Sequence, residues 1–141
     1  MKGAGMTEAG RKTVLFVCLH GAAKSVLASV DFERLARARG VEARSVFAGT
    51  EPDPEIAPKV ASELGAEGVD LRGERPRRVT REDVAGAWRV VTFGCELGPL
   101  AAGAPVERWD DVPAVSDDFW KARAAIDARL VRLLGELTGP R

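Results

Sequence analysis

Residues 18–25 have the sequence Cys-Leu-His-Gly-Ala-Ala-Lys-Ser. An apolar run, residues 13–17, precedes this stretch, and a helix-like pattern of apolar residues, 26–39, follows it. A strand, a short loop with a glycine and a helix in that order form an anion site. The first N–H groups of a helix have no partners within the helix and lie at the positive end of its dipole. A cysteine in such a place is favoured as the thiolate. We call residues 18–25 the anion loop and expect Cys18 to be its nucleophile.

The length of 141 residues predicts one domain, with 45% apolar and 30% charged residues. Residues 1–12 lack an apolar core and are predicted to form a disordered tail, which leaves residues 13–141 as the folded domain. The 21 acidic and 21 basic residues balance, so charge favours neither nucleic acid nor a membrane surface as partner. Two cysteines and one histidine form no recognisable metal site, and free cysteines suit the reducing cytoplasm.

The apolar patterns alternate between strand and helix along the chain. Strands are predicted at 14–17, 44–48, 88–93 and 106–109. Helices are predicted at 26–39 and 54–64, after a Thr80–Asp83 capping box, and after Ser116 at the C-terminal end. This order predicts a single α/β domain with a parallel four-stranded sheet flanked by helices. Ligands of such folds bind beyond the carboxyl ends of the strands, where Cys18, Gly49 and Cys95 lie.

The anion loop resembles the phosphate-binding loop of the low-molecular-weight protein tyrosine phosphatases and of the arsenate reductases that share their fold. Their pattern is Cys, five residues, Arg, then Ser or Thr; the spacing is the same here, but Lys24 replaces the arginine. Residues 48–52, Ala-Gly-Thr-Glu-Pro, match the turn after the second strand of this superfamily. Residues 75–80 and 91–95 resemble arsenate reductases more than eukaryotic-type phosphatases. The resemblance extends over about residues 13–137.

The resemblance implies in-line attack of the Cys18 thiolate on a bound phosphate, arsenate or phosphomonoester. Lys24 would bind the oxyanion, and Ser25 would donate a hydrogen bond to the thiolate. The N–H groups of the loop would also bind the oxyanion, and these belong to Leu19, His20, Gly21, Ala22, Ala23, Lys24 and Ser25. A guanidinium pairs with two oxygens at once, whereas an ammonium is a point charge. We therefore expect binding of oxyanions and slow turnover.

Residues 109–113, Trp-Asp-Asp-Val-Pro, occupy the place of the superfamily's Asp-Pro loop, which supplies the general acid. Val112 separates Asp111 from the proline, so the register of the acid stays open. We take Asp111 as the acid and Asp110 as the alternative.

Cys95 occupies the position at which similar arsenate reductases carry a cysteine that resolves the thiol–arsenic adduct. The third cysteine of a complete relay is absent from this sequence. Arsenate reduction would therefore use Cys95 alone or an external thiol such as thioredoxin, glutaredoxin or a small thiol; no other cofactor is implied.

Three hypotheses follow from the sequence. The protein is a Cys18-dependent phosphatase, an arsenate reductase, or a non-catalytic oxyanion-binding or regulatory protein that has lost the catalytic arginine.

Overall fold

A computed structural model of the protein describes residues 12–139. The predicted tail lies outside this range except for Lys12, which is the first residue of strand β1. Within the described range, the strands are β1 (Lys12–Cys18), β2 (Ala43–Gly49), β3 (Arg89–Thr92) and β4 (Val106–Arg108). They form one parallel sheet in the order β2-β1-β3-β4. The helices are α1 (Lys24–Ala38), α2 (Pro58–Ala66), α3 (Arg81–Ala85) and α4 (Phe119–Thr138), with a 3-10 turn at Gly98–Ala101. The predicted α/β fold is confirmed.

Strand β1 is apolar on both sides because both faces of the sheet are covered. Val14 and Phe16 pack into the larger core with side chains of α1, α2 and α4. Leu15 and Val17 point to the other face and pack into a smaller cluster that includes Val84 of α3. All four of these β1 side chains are fully buried. Burial on both faces holds β1 in the centre of the core, and the last residue of this strand is Cys18.

Two helices begin later than the sequence predicts. Helix α2 begins at Pro58 instead of residue 54, because the preceding residues donate backbone hydrogen bonds to the anion loop. Helix α4 is capped by the Asp118 carboxylate, which accepts from Lys121 N at 3.0 Å, and not by Ser116 as predicted. The Thr80–Asp83 capping box is confirmed. Between residues 12 and 139, none of the helices combines the length and the apolar composition needed to cross a membrane.

An ion-pair cluster joins three helical segments on the outer side of the larger core. Arg123 of α4 contacts Asp31 of α1 at 2.9 Å and Glu67, just after α2, at 2.6 Å. Asp127 lies one turn further along α4, and its Oδ1 is buried without a hydrogen-bond partner among the described residues. Burial, followed by the neighbouring Asp31 carboxylate, raises the pKa of Asp127 to about 7. The folded protein therefore favours the protonated form of Asp127.

We predict that Asp127→Asn stabilises the protein more at pH 8 than at pH 5. A carboxyl whose pKa is raised on folding contributes stability at low pH that is lost as the pH rises from about 4 to about 7. The amide of Asn does not ionise between pH 5 and pH 8, so the variant has no such loss. Because about half of the side chain is exposed, we expect the loss to be about 1 kcal/mol, or about 4 °C in melting temperature. Melting curves of both proteins at the two pH values test this. An equal effect of the substitution at both values would contradict the assignment.

Candidate active site

The anion loop lies directly against the end of β2. Gly21 has a φ of +61°, and a Cβ there would lie 2.7 Å from the backbone nitrogen of Gly49. A Cβ on Gly49 would in turn lie 2.6 Å from the nitrogen of Gly21. No real Cβ approaches a backbone atom so closely. The two backbones can therefore touch only because both residues are glycine.

The carbonyl oxygens of the anion loop are held on its outer side by residues 50–57. The hydrogen bonds run from Thr50 N to Cys18 O (3.3 Å), Glu51 N to Leu19 O (2.7 Å), Asp53 N to His20 O (3.0 Å) and Ala57 N to Ala22 O (2.9 Å). In a planar trans peptide, the carbonyl and the following N–H point in opposite directions. The N–H groups of residues 19, 20, 21 and 23 are therefore directed to the inner side of the loop. Inward N–H groups next to a helix N-terminus form an anion site.

The Cys18 thiol lies next to a buried hydroxyl. Its Sγ is 3.1 Å from Oγ of Ser25, which is fully buried in the first turn of α1. A serine hydroxyl in this position can donate a hydrogen bond to a thiolate. Within the described residues, the N-terminus of α1 has no side-chain cap at Ala23. A bound anion would therefore fill the place that a capping side chain takes in other helices.

Cys18 opens into a cavity of about 360 Å³. The anion loop, residues 53–59, Phe93 and residues 114–116 form its sides. The side chains at the cavity are mostly apolar, and the charged groups come from Lys24, Asp53 and Lys59. The cavity is larger than one tetrahedral oxyanion requires. It has room for a second reactant beside an anion in the loop.

Lys24 lines this cavity and also contacts its opposite side. Its Nζ donates a 2.8 Å hydrogen bond to the carbonyl oxygen of Val112. An ammonium has three N–H donors. Among residues 12–139, this is the one hydrogen bond that Lys24 Nζ makes, so two of its donors remain for a ligand.

His20 lies at the cavity with a defined tautomer. Its Nδ1 is 3.2 Å from the carbonyl oxygen of Glu51 and 3.3 Å from Oδ1 of Asp53. A carbonyl and a carboxylate only accept hydrogen bonds, so Nδ1 carries the hydrogen. The Nε2 atom of His20 is therefore the one that can exchange a proton with a ligand.

The two candidate acids pair with arginines and do not line the cavity that contains Cys18, contrary to the expected position of Asp111. Both oxygens of Asp111 pair with Arg129 of α4, at 2.8 and 2.9 Å, and 77% of its side chain is exposed. Asp110 accepts from Gly94 N at 3.0 Å and Arg108 Nε at 2.9 Å. Neither is among the described residues that line the cavity. The flanking side chains, Trp109 and Val112, are buried in the core, so the aspartates between them face outward.

A comparison with protein families agrees with the geometry of the anion loop. Residues 13–96 match the family of low molecular weight phosphotyrosine protein phosphatases. This protein belongs to that family.

Similar proteins in this family include both arsenate reductases and phosphatases. A putative arsenate reductase of Halobacterium salinarum is 29% identical over 127 residues, which cover 86% of this chain and 89% of the relative. The thioredoxin-dependent arsenate reductase of Corynebacterium glutamicum superposes with a TM-score of 0.75 at 29% identity. It matches 94% of this chain, which spans 65% of that longer protein. A Vibrio cholerae low molecular weight phosphotyrosine phosphatase shares the fold, with a TM-score of 0.73, 18% identity and coverage of 89% and 95%.

Cys95 lies across the sheet from Cys18 in this family member. It packs beside Leu15 and Val17, whereas Cys18 belongs to the larger core on the other face. Its Sγ donates to the carbonyl oxygen of Val17 at 3.5 Å. Burial, and then the nearby charge of Cys18, raise the pKa of the Cys95 thiol. Cys95 is therefore a protonated, buried thiol in this arrangement.

Cys95 was predicted at the end of the third strand, but the chain changes direction at Gly94, and Cys95 packs on the other face of the sheet. Alternation along a strand would place Cys95 on the same face as Phe93, which packs with the larger core. Gly94 has a φ of +83°, and this conformation turns Cys95 to the other face. Asp53, Lys59 and residues 114–116 also line the cavity, although no pattern in the sequence singled them out. Their position after strand ends was the one signal that could have found them.

We predict that Gly21→Ala abolishes the anion site and that Gly40→Ala does not. Both glycines have positive φ, +61° and +68°, so each substitution costs about 1–2 kcal/mol of stability. Only at Gly21 would the new Cβ clash with another backbone, because nothing lies within 4 Å of a Cβ on Gly40. Calorimetric titration with inorganic phosphate should show at least about tenfold weaker binding for Gly21→Ala alone. Native affinity in Gly21→Ala would show that the loop geometry does not form the site.

Proposed function

We propose that this protein is an arsenate reductase in which Cys18 alone attacks the oxyanion and an external thiol completes the reaction. The observation that carries the proposal is the placement of the two cysteines. Cys18 lies at the anion loop, 3.1 Å from Ser25 Oγ, and Cys95 is buried on the other face of the sheet. This arrangement supports Cys18 as the attacking thiol, because Cys18 lines the cavity and Cys95 is not among its lining residues.

The proposed reaction has three covalent steps. The Cys18 thiolate attacks arsenic, an S–As bond forms, and one arsenate oxygen leaves as water after protonation. An external thiolate then attacks the Cys18 sulfur and forms a disulfide. The electron pair of the S–As bond stays with arsenic, which leaves as arsenite, reduced by two electrons. A second external thiol exchanges with this disulfide and restores Cys18.

The residues of the anion loop have separate roles in this proposal. The inward N–H groups and the Lys24 ammonium bind the arsenate oxygens, whose charge increases during attack. The hydroxyl of Ser25 donates a hydrogen bond to the thiolate. We expect turnover to be slow, because the ammonium of Lys24 is a point charge on a flexible stem and lacks the rigid planar fork with which a guanidinium binds two oxygens. His20 lines the cavity and would exchange the proton through Nε2, while Asp111 would have to leave Arg129 to act as the acid.

Arsenate reduction fits this site better than hydrolysis of a phosphomonoester. Hydrolysis needs an acid for the leaving oxygen and then a base that activates water. Asp110 and Asp111 are paired with arginines outside the cavity. An external thiol replaces the water step, and the cavity has room for it beside the anion. The arsenate reductases among the similar proteins, one of them thioredoxin-dependent, support this choice.

The proposed partner is a thiol of a reducing compartment: thioredoxin, glutaredoxin or a small thiol. Such reductants keep Cys18 free in a cytoplasm, where we place the protein. Phosphomonoester hydrolysis is the second candidate, favoured by the family match and by the imidazole of His20, which lines the cavity.

We predict that Cys18→Ser abolishes arsenate reduction and that Cys95→Ser retains it with thioredoxin or a small thiol as reductant. In the Cys95→Ser variant the serine hydroxyl can still donate to the Val17 carbonyl, so the fold around this position is kept. Arsenite formation in native protein and both variants is measured beside hydrolysis of p-nitrophenyl phosphate.

Equal inactivity of the two variants would establish an internal relay and contradict the proposal. Cys18-dependent hydrolysis without arsenite formation would select the phosphatase. Phosphate binding without either activity would select the non-catalytic, oxyanion-binding hypothesis.

A further inference from the structure

Two lysines line the cavity, and they differ in what they contact. Lys59 of α2 pairs with Glu63 of the same helix, with Nζ and Oε2 3.0 Å apart. Lys24 of α1 instead donates across the cavity to the carbonyl of Val112, at 2.8 Å. The ammonium of Lys59 also lies 5.9 Å from the centroid of the Phe119 ring of α4. Of the lysines at this cavity within residues 12–139, Lys24 is the one that donates a hydrogen bond to the opposite side.

The segment that Lys24 contacts forms a wall of the cavity. We call residues 112–116 the wall segment; Ala114, Val115 and Ser116 line the cavity, and Val112 and Val115 anchor the segment in the core. It lies between β4 and α4, outside any helix or strand. Its other backbone hydrogen bonds in the described chain are local, from Asp117 N and Asp118 N to the carbonyl of Ala114. The Lys24 bond is therefore the hydrogen bond that connects the wall segment to the anion loop.

We infer that Lys24 is a positioning residue that holds the wall segment over the anion loop and shares its ammonium between Val112 and the bound oxyanion. One N–H of the ammonium donates to the Val112 carbonyl, and the other two are available to oxygens of the anion. Two sites that share one group influence each other reciprocally. An oxyanion that orients the ammonium stabilises the closed wall, and the closed wall strengthens binding of the oxyanion. The inference deepens the proposed function, on which it rests for the identity of the anion.

The same hydrogen bond accounts for two departures of this sequence from the pattern it resembles. Lys24 replaces the arginine of the loop, and Val112 is the residue between Asp111 and Pro113. These two residues form the contact. A flexible ammonium reaches the carbonyl of Val112 and still lines the cavity, whereas a guanidinium fork would commit its donors to one planar direction.

Hydrogen exchange of backbone amides, measured by mass spectrometry, tests the inference in the native protein, Lys24→Met and Lys59→Met. Each substitution keeps an unbranched side chain of similar length and removes one ammonium group from the cavity. Without a ligand, we expect amides of residues 112–118 to exchange about tenfold faster in Lys24→Met. Lys59→Met should match the native protein. Exchange in α4 serves as the reference for global opening, so that a general loss of stability is recognised.

The same experiment with saturating inorganic phosphate tests the shared ammonium. Phosphate should slow exchange of residues 112–118 in the native protein and in Lys59→Met, but not in Lys24→Met. Native exchange of the wall segment in Lys24→Met would overturn the positioning role. Protection by phosphate in Lys24→Met, or in none of the proteins, would overturn the coupling. None of these readouts depends on arsenate reduction, so they stand apart from a failure of the proposed reaction.

Discussion

The contact between the backbones of Gly21 and Gly49 is the constraint on which the rest of the site depends. It presses the anion loop against the end of β2, within reach of residues 50–57. The backbone N–H groups of those residues donate to the carbonyls of the anion loop, so the N–H groups of the loop point inward. The contact also fixes where Cys18 leaves β1, because Cys18 and Gly49 are partners in the sheet register. A side chain at either glycine would separate the loop from the segment that shapes it.

The fold could be predicted from the sequence because its signals are local. The apolar run of β1, the Thr80–Asp83 capping box and the apolar stripe of α4 each specify their own element. The predicted starts of α2 and α4 were wrong, because the residues just before these helices contact the candidate site. Residues 54–57 are not helical, and Ala57 donates a hydrogen bond to Ala22 of the anion loop. Ser116 lines the cavity, and Asp118 caps α4. Local propensity carries no information about these distant partners.

The positions of the second cysteine and of the aspartates depended on details that a pattern of residue types does not contain. One positive φ at Gly94 moves Cys95 to the opposite face of the sheet. The burial of Trp109 and Val112 turns Asp110 and Asp111 outward, where Arg108 and Arg129 bind them. The result is a cavity lined by the thiol of Cys18 and by three charged side chains. Cys95 packs into a different apolar cluster from Cys18 and is not among the described residues that line the cavity, and this placement is the physical reason for assigning the second thiol to another molecule.

We propose that the thiol which resolves the Cys18 adduct comes from outside the chain. Reduced protein is mixed with one equivalent each of arsenate and a small monothiol, and the reaction is stopped with acid and analysed by peptide mass spectrometry. We expect a mixed disulfide between the monothiol and Cys18 that forms only with arsenate, while Cys95 stays a free thiol. A Cys18–Cys95 disulfide, or a mixed disulfide that forms equally without arsenate, would contradict it.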